Sequence, residues 1–285
     1  MPMEINHKCL EKVGTVLSIA GSDPSGGAGI QADLKTFVSI GVYGAAAITC
    51  LTAQNTLGVS TYLPVDPSFV RKQVELVLQD LNVTHIKIGM TGTEEIIKVI
   101  GDLLTGFDGE VVCDPVITAS DGHALLEQES VICLCDHIIN RTTVLTPNLA
   151  ELRMITGGSC ADSDEAVQAG ISLFDEFKSL RAVVIKGGHL EEKRETVTDY
   201  LLVMDDKSEK IISKTAVHKR VRTKNTHGTG CTFASAFAAF HMLKGGYEQA
   251  FFNAVNFVDS LLNKSASLKF GEGCGPLAHG HITSS

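Results

Sequence analysis

One segment in the last quarter of the chain, Thr223-Lys-Asn-Thr-His-Gly-Thr-Gly-Cys231, has residue types suited to binding an anion. Gly228 and Gly230 can adopt backbone conformations that aim successive N–H groups at one point. The small residues that follow are typical of a buried helix, and a helix N-terminus carries partial positive charge. The segment therefore predicts an anion hole for charge that develops on a transferring phosphoryl group, with Cys231 beside it. A tight turn before a buried helix is the alternative.

Another glycine-rich segment, Gly21-Ser-Asp-Pro-Ser-Gly-Gly-Ala-Gly29, lies near the start of the chain. It is not a P-loop, because Gly26 is followed by glycine and alanine where that motif needs lysine and a hydroxyl residue. Residues 27–32 match the dinucleotide pattern G-x-G-x-x-A, but residues 34–65 contain no acid to bind a ribose. We expect instead that this loop lets a flat substrate approach the backbone closely.

Four further polar positions follow predicted strands. Asp114 precedes a proline and suits a ligand or metal, and Lys186 suits a phosphate. Asn148-Leu-Ala-Glu151 places an amide and a carboxylate on one helix face, where they could hold magnesium-bound waters. The amide of Gln54 could read the edge of a heteroaromatic ring. The first three have an ordinary alternative: a turn aspartate, a surface lysine, and an asparagine helix cap with a first-turn glutamate.

The elements that must position these residues alternate between strands and helices, which predicts an α/β fold with a mostly parallel sheet covered on both faces. Strands are predicted at 15–20, 44–52, 85–89, 111–114, 143–145, 182–186, 199–204 and 210–217, the last two as an antiparallel hairpin. Helices are predicted at 28–40, 67–80, 93–105, 122–137, 148–156, 163–179, 229–243 and 247–268. We expect a single domain over residues 13–277, with tails at 1–12 and 278–285.

Composition excludes several classes of protein. The 285 residues carry 24 Lys and Arg against 33 Asp and Glu, a net charge of −9, which argues against binding nucleic acid. No apolar run approaches the length of a membrane span, and the polar N-terminus is no signal peptide. The eight cysteines lack zinc-ligand spacing, since Cys133 and Cys135 have no second pair. We therefore expect reduced thiols in a cytoplasmic protein.

The first and last of these motifs, read as Ala20-Gly-Ser-Asp-Pro-Ser-Gly-Gly-Ala-Gly-Ile-Gln-Ala-Asp-Leu-Lys35 and as residues 223–231, are highly specific. Between them, in order, lie Ala53-Gln-Asn-Thr56, Lys87-Ile-Gly-Met90, Thr146-Pro-Asn148 and Lys186-Gly-Gly-His189. Together they resemble the hydroxymethylpyrimidine/phosphomethylpyrimidine kinases of the ribokinase-like superfamily, over roughly residues 14–277. The resemblance implies a three-layer α/β/α fold and two successive ATP-dependent phosphorylations in thiamine biosynthesis.

The resemblance also implies cofactors, partners and residue roles. ATP and Mg²⁺ are the implied cofactors, the partner is a small aminopyrimidine alcohol or its phosphate, and relatives are commonly homodimers. The implied substrate residues are Gly21, Asp33, Gln54 and Met90, with Gln54 and Asp33 on the ring nitrogens. The implied magnesium and phosphate residues are Asp114, Asn148 and Glu151, with Lys186 and Thr226 on the nucleotide phosphates. The implied catalytic residues are Lys186, Gly228, Gly230 and Cys231, with the anion hole at Gly228 to Cys231.

Cys231 stands where sugar kinases of the superfamily place an aspartate as base. We hypothesise that an aspartate there would repel a substrate that already carries phosphate, because two close negative charges in a weakly screened site are costly. A thiol can stay neutral, and the helix N-terminus would assist its ionisation when a base is needed.

Two regions depart from the family pattern. A lysine-containing flap is replaced here by Ala119-Ser-Asp-Gly-His123, which puts its contribution to phosphate binding in question. The family's C-terminal motif survives as Gly273-Cys-Gly-Pro276, and we expect His279 and His281 beyond it to be solvated. Two alternatives stay open: pyridoxal kinase, whose substrate is also a flat heteroaromatic alcohol, alone or as a second activity, and a catalytically inactive nucleotide-responsive protein.

Overall fold

A computed structural model describes residues 13–117, 128–189, 194–205, 207–208 and 210–280. The predictions for the N-terminal tail, for the flap at 119–123 and for His281 lie outside these residues. The strands are β1 (Thr15–Ser22), β2 (Tyr43–Asn55), β3 (Gly58–Pro64), β4 (Val83–Ile88), β5 (Glu110–Cys113), β6 (Val144–Leu145), β7 (Ala182–Ile185), β8 (Thr196–Asp205) and β9 (Lys210–Lys219). The helices are α1 (Gly29–Ile40), α2 (Pro67–Asp80), α3 (Glu94–Leu104), α4 (Gln128–His137), α5 (Leu149–Thr156), α6 (Ser163–Glu176), α7 (Thr229–Lys244) and α8 (Tyr247–Ser265).

The strands form one sheet in the order β3-β2-β1-β4-β5-β6-β7-β8-β9. Six neighbouring strands of this order, β2, β1, β4, β5, β6 and β7, pair in parallel. Strand β3 pairs antiparallel to β2 at one edge. At the other edge β8 pairs antiparallel to β7, and β9 pairs antiparallel to β8. This confirms the predicted mostly parallel sheet and the β8–β9 hairpin. The sequence did not predict β3, because its residues are half-buried or exposed and lack the apolar alternation that marks a strand with one buried face.

Helices cover both faces of the sheet, which gives three layers. Along β1, Val16 packs into one apolar cluster and Leu17 into the other, since successive side chains of a strand point to opposite faces. The Leu17 cluster contains residues of α2 to α6, and the Val16 cluster contains residues of α1, α7 and α8. In the described ranges no helix has both the length and the apolar character needed to cross a bilayer.

Helix α7 lies against the sheet by a buried run of mostly small residues with two phenylalanines, Phe233 and Phe237. Phe233 to Ala239 are buried on every side of the helix, and four of these seven residues are alanines. A helix that is apolar all round must be buried, and small side chains let its backbone approach the strands. The N-terminus of α7 is thereby held at the edge where β1, β4, β5 and β7 end, which is where ligands bind in open α/β sheets.

Candidate active site

The two glycine-rich loops predicted from the sequence, the first at residues 21–29 and the second at residues 223–231, lie in direct contact. Gly228 precedes α7 with a φ of 79°, and a Cβ there would overlap the carbonyl oxygen of Gly27. Gly29 opens α1 with a φ of 57°, and a Cβ there would overlap the carbonyl oxygen of Gly21. Both positions therefore need glycine for the conformation and for the close approach. The N-termini of α1 and α7 consequently meet at one place.

Asp23 organises the first loop, a role that the sequence analysis missed. Its carboxylate accepts hydrogen bonds from the backbone N–H groups of Ser25, Gly27 and Ala28, and it lies 2.8 Å from His227 Nε2 in the second loop. Burial alone would raise the pKa of Asp23, but the hydrogen bonds from His227, Ser25 and Ala28 outweigh it and hold the pKa well below its ordinary value. The sequence Asp23-Pro-Ser25 is typical of an Asx turn, so the hydrogen bonds of Asp23 within its own loop could have been predicted from the sequence.

Cys231 lies in the first turn of α7, near the backbone N–H of Gly29, which lowers the pKa of the thiol. Burial raises the pKa of this thiol to about 11. Lys87 lowers that pKa, whereas Asp33 and Asp114 raise it further. The thiol is thus neutral at pH 7, as hypothesised. The backbone N–H of Gly29 lowers this pKa but burial outweighs it, and the assistance of ionisation by the helix N-terminus stays a prediction.

Asp114 and Lys186 form an ion pair beside the start of α7. The distance from Lys186 Nζ to Asp114 Oδ1 is 2.6 Å, and Asp114 is only 2% exposed. A Cβ at Gly230 would lie 3.3 Å from Lys186 Nζ and 3.4 Å from Asp114 Oδ2, so the glycine packs directly on the pair. Burial alone would lower the pKa of Lys186, but Asp114 and Glu151 outweigh it and raise the pKa. The structure thus brings together Asp114, Lys186, Gly230 and Cys231.

Asn148 and Glu151 form a capping box at the start of α5, which is the ordinary alternative to a shared metal-binding face. The backbone N–H of Asn148 donates to Glu151 Oε2 at 2.7 Å, and the backbone N–H of Glu151 donates to Asn148 Oδ1 at 2.9 Å. Burial raises the pKa of Glu151 to about 7; Lys186 lowers that pKa, and Asp114 raises it. Within the described ranges no group of three or more His, Cys, Asp or Glu residues is arranged to hold a metal.

Asp33 lies under the site rather than in it. It is fully buried and accepts hydrogen bonds from Ser18 Oγ and Ser235 Oγ, each at 2.6 Å, and from Lys87 Nζ at 2.9 and 3.0 Å. Lys87 is also fully buried; burial alone would lower its pKa, but the neighbouring carboxylates of Asp33 and Asp114 raise it. The prediction that Asp33 hydrogen-bonds a substrate ring is wrong, because its oxygens are engaged by internal partners.

Gly21 and Met90 lie together at the ends of β1 and β4. A Cβ at Gly21 would lie 2.9 Å from Cys50 Sγ and 3.3 Å from Met90 Sδ, so the two sulfur atoms form a wall beside the backbone. Gln54 lies in β2, which pairs with β3, and it lines a shallow groove of about 510 Å³ shared with Pro24 of the first loop. The remaining lining residues are Ala53, Asn55, Leu57, Gly58, Val59 and Ser60.

A second cavity of about 620 Å³ adjoins the second glycine loop. Three basic residues stand out in its wall: Arg222, Lys224 and Lys269. The rest of the wall is formed by Thr223, Asn225, Ala266, Leu268, Phe270, Gly271, Glu272 and Gly273. Thr226, predicted to contact phosphates, is exposed next to this cavity, and its Oγ1 lies 3.3 Å from Cys274 Sγ.

The segment that follows Lys186 is held from β8. The backbone N–H of Gly187 donates to Asp199 Oδ1 at 2.8 Å. The other oxygen of Asp199 lies 3.1 Å from His218 Nε2, and His218 Nδ1 lies 2.8 Å from Asp259. Burial alone would lower the pKa of His218, but its two carboxylate partners outweigh it and raise the pKa to about 9. His218 therefore carries a positive charge at neutral pH and joins β9, β8 and α8.

The described part of the C-terminal tail is packed. His279 Nε2 lies 3.0 Å from Thr232 Oγ1, and Ser39 Oγ donates to the carbonyl oxygen of His279 at 2.8 Å. Burial lowers the pKa of His279 to about 4. The prediction that His279 is solvated is wrong, because residues 277–279 dock between α1 and the start of α7.

Comparison with known proteins gives consistent matches over nearly the whole chain. The family model described as phosphomethylpyrimidine kinase matches residues 23–278. The hydroxymethylpyrimidine/phosphomethylpyrimidine kinase of Rhizobium meliloti is 42% identical over 266 residues, which cover 93% of this chain and 96% of that protein. The protein of the same name from Escherichia coli is 36% identical over 93% of this chain and 97% of that protein.

Two kinds of solved structure resemble the fold. The Staphylococcus aureus pyridoxal kinase in complex with ADP superposes with a TM-score of 0.82 at 31% identity, over 94% of both chains. The Clostridium difficile phosphomethylpyrimidine kinase superposes with a TM-score of 0.73 at 33% identity, over 87% of this chain and 99% of that chain.

Proposed function

We infer that this chain, which belongs to the phosphomethylpyrimidine kinase family, phosphorylates 4-amino-5-hydroxymethyl-2-methylpyrimidine with ATP and then phosphorylates the monophosphate to the diphosphate, in thiamine biosynthesis. One observation supports the chemistry above all. The N-terminus of α7, the Asp114–Lys186 pair and the neutral Cys231 thiol lie together beside the first glycine loop. Phosphoryl transfer depends mainly on such positioning and on electrostatic stabilisation.

The nucleotide would bind in the cavity lined by Arg222, Lys224 and Lys269, with its phosphates directed along Thr226 towards Gly228. Basic side chains at the cavity wall favour a polyphosphate, and the backbone N–H groups at the start of α7 favour its terminal phosphate. The Staphylococcus aureus kinase with a similar fold was solved with ADP, which fits this assignment. Lys186 would stabilise charge on the transferred group as a point charge.

The acceptor would bind between the first glycine loop and the groove lined by Gln54. Gly21 lets the ring approach the backbone, Met90 provides a polarisable wall, and the Gln54 amide offers a donor and an acceptor to the ring nitrogens. The hydroxymethyl oxygen would then face Cys231. Because the transition state of phosphoryl transfer is loose, the hydroxyl needs little deprotonation beforehand, and a neutral thiol suffices there.

Mg²⁺ is part of this proposal, held by Asp114 and Glu151. Both carboxylates are almost inaccessible, and Asp114 Oδ2 faces Gly230 at the start of α7. Two carboxylates fit a magnesium ion that keeps several waters and takes its other ligands from nucleotide phosphates. When bound, the ion would neutralise charge on those phosphates. The role of Asn148 would be to hold Glu151 in place through the capping box.

The test is ADP release by the wild-type protein with ATP, Mg²⁺ and either hydroxymethylpyrimidine or its monophosphate. Gly230→Val should abolish release with both substrates, because its side chain would press on Lys186 and Asp114. Gly106→Val is the matched control, because a side chain there meets open space, and it should leave turnover unchanged. If Gly230→Val folds and retains turnover, the anion-hole assignment is wrong. If the wild-type protein phosphorylates neither compound, the function is wrong.

Pyridoxal is the second candidate acceptor, since the Staphylococcus aureus pyridoxal kinase superposes over 94% of both chains. Gln54 and the higher identity to hydroxymethylpyrimidine kinases favour the aminopyrimidine. The same ADP assay with pyridoxal decides between them. Equal or faster turnover of pyridoxal would reverse the order of the two substrates.

We also propose a cytoplasmic homodimer. The seven cysteines in the described part of the chain have free thiols, which fits a reducing compartment. The edge hairpin β2–β3 exposes Leu51, Leu57 and Leu63, an apolar surface that a second copy of the chain would cover. Sedimentation analysis of the wild-type protein and of Leu63→Glu tests the dimer; a monomeric wild-type protein would contradict it.

A further inference from the structure

The turn between β2 and β3 is joined to a glycine-rich segment near the C-terminus, residues 271–276, which we name the glycine strap. The backbone N–H of Cys274 donates to the carbonyl oxygen of Thr56 at 2.7 Å, and the N–H of Gly273 donates to Thr56 Oγ1 at 3.2 Å. Gly271 has a φ of 81°, and a Cβ there would lie 2.5 Å from Thr56 Oγ1. The strap is therefore fitted closely around a single side chain.

The other side of the glycine strap is joined to the loop before α7. The N–H of Gly275 donates to the carbonyl oxygen of Lys224 at 3.1 Å, and the N–H of His227 donates to the carbonyl oxygen of Gly275 at 3.0 Å. Cys274 Sγ also lies 3.3 Å from Thr226 Oγ1. The strap thus lies between the β2–β3 hairpin and the loop assigned to the nucleotide phosphates.

The two cavities of the site meet at this contact. Residues 53–55 and 57–60, on both sides of Thr56, line the groove assigned to the acceptor. Gly271 and Gly273, which Thr56 contacts, line the cavity assigned to the nucleotide. Strand β3 is half-buried or exposed along its whole length, so within one copy of the chain its pairing with β2, rather than an apolar core, holds the hairpin. The bonds of Thr56 to the strap accordingly matter for how the hairpin is held.

We propose that Thr56 is a positioning residue that couples the nucleotide cavity to the acceptor groove, so that each substrate binds more tightly when the other is present. This inference rests on the proposed function, because it takes the occupants of the two cavities from it. A nucleotide that contacts residues 271–273 orders the strap, and through Thr56 it orders the hairpin that carries Gln54. The second ligand then loses less conformational entropy on binding. By thermodynamic linkage the effect has the same size in both directions.

The experiment is calorimetric titration of the full-length protein with a non-hydrolysable ATP analogue, in the presence and absence of saturating hydroxymethylpyrimidine. We expect the wild-type Kd for the analogue to fall by about fivefold or more when the acceptor is present, the lower end of typical couplings. The reverse titration should give the same factor. In Thr56→Val, which keeps the side-chain shape but loses the acceptor oxygen for Gly273 N–H, the factor should fall to below half its wild-type value.

Thr61→Val is the matched control, because Thr61 lies exposed on the same hairpin and pairs with Ala53 in β2 rather than with the strap. Its coupling factor should equal that of the wild-type protein. A merely structural role for Thr56 would weaken both affinities and leave the factor unchanged, and that result overturns the proposal. A wild-type factor of one overturns it as well. If the wild-type protein binds neither ligand, the proposed function itself fails, which is distinct from binding of both without coupling.

Discussion

Removing Lys87 should leave Asp33 as a buried carboxylate without its counter-ion. Both side chains are fully inaccessible to solvent, and Lys87 Nζ contacts both oxygens of Asp33. Breaking a buried ion pair by removing one partner typically costs about 3–5 kcal/mol. Ser18 and Ser235 still donate to Asp33 in the variant, so we expect the lower end, about 3 kcal/mol for Lys87→Met. That is a loss of roughly two powers of ten in the folding equilibrium constant.

The measurement is urea denaturation followed by far-ultraviolet circular dichroism, because the chain contains no tryptophan. The transition midpoint should fall while its slope with urea stays unchanged, which separates a loss of stability from a change in the unfolded state. Lys98→Met is the control, since Lys98 pairs with Glu94 at 3.4 Å on an exposed helix surface. That variant should stay within about 0.5 kcal/mol of the wild-type protein.

A double variant distinguishes lost charge compensation from lost packing. Asp33→Asn combined with Lys87→Met removes the uncompensated charge and keeps an oxygen that accepts from Ser18 or Ser235. We expect it to be more stable than Lys87→Met alone by about 1 kcal/mol or more. If the double variant is as unstable as Lys87→Met, or if Lys87→Met costs less than about 1 kcal/mol, the buried pair does not act as described.

Three further results are expected. Gly228→Ala should abolish phosphoryl transfer and lower the free energy of unfolding by more than about 1–2 kcal/mol, because a Cβ there adds left-handed backbone strain and overlaps the backbone of Gly27. ADP release and urea denaturation measure the two effects. Wild-type results in both assays would contradict the prediction. His218, whose folded-state pKa is raised to about 9 by Asp199 and Asp259, contributes stability that is full below pH 6.5 and is lost as pH rises through 9. The free energies of unfolding of the wild-type protein and of His218→Gln, measured by urea denaturation, should therefore differ by about 2–3 kcal/mol at pH 6 and converge towards pH 10. A difference that stays constant over this range would refute the assignment. Cys231→Asp should lower turnover of the monophosphate at least about tenfold more than that of the alcohol; improved turnover of the monophosphate relative to the alcohol would show the charge argument to be wrong.

The fold was predictable wherever an element has one strongly patterned buried face. β1 and α7 were predicted to within two residues because their apolar residues repeat with the period of a strand or cluster as a buried run. β3 was missed because no face of it is buried, so its residues carry no periodic signal. The antiparallel pairing of β8 with β7 depends on tertiary packing, and the residues of the two strands do not specify it.

Within the site, local geometry was predictable and long-range partners were not. The Asn148 capping box could be recognised from four consecutive residues, and the structure contains it. Asp33 was assigned to the substrate only because the resemblance to the kinase family implies that role. Its partner Lys87 is 54 residues away, and the two meet because α1 packs on β1 and β1 pairs with β4. Asp23 and His227 are 204 residues apart in the sequence, so their hydrogen bond likewise could not be predicted from local motifs.

The charges around α7 explain why a thiol suits its first turn. Asp33 is matched by Lys87, and Asp114 is matched by Lys186, while Glu151 is only about half ionised at pH 7 because burial raises its pKa to about 7. The Asp114–Lys186 pair and Glu151 lie beside the start of α7, where the proposed function places a phosphate, and the Asp33–Lys87 pair lies beneath them. The charges of these groups largely cancel although the chain carries −9 overall. An aspartate at position 231 would add a negative charge with no cation left to pair with it among these residues. A thiol that ionises only near pH 11 adds none, and the positive N-termini of α1 and α7 then act on the substrate phosphate without opposition.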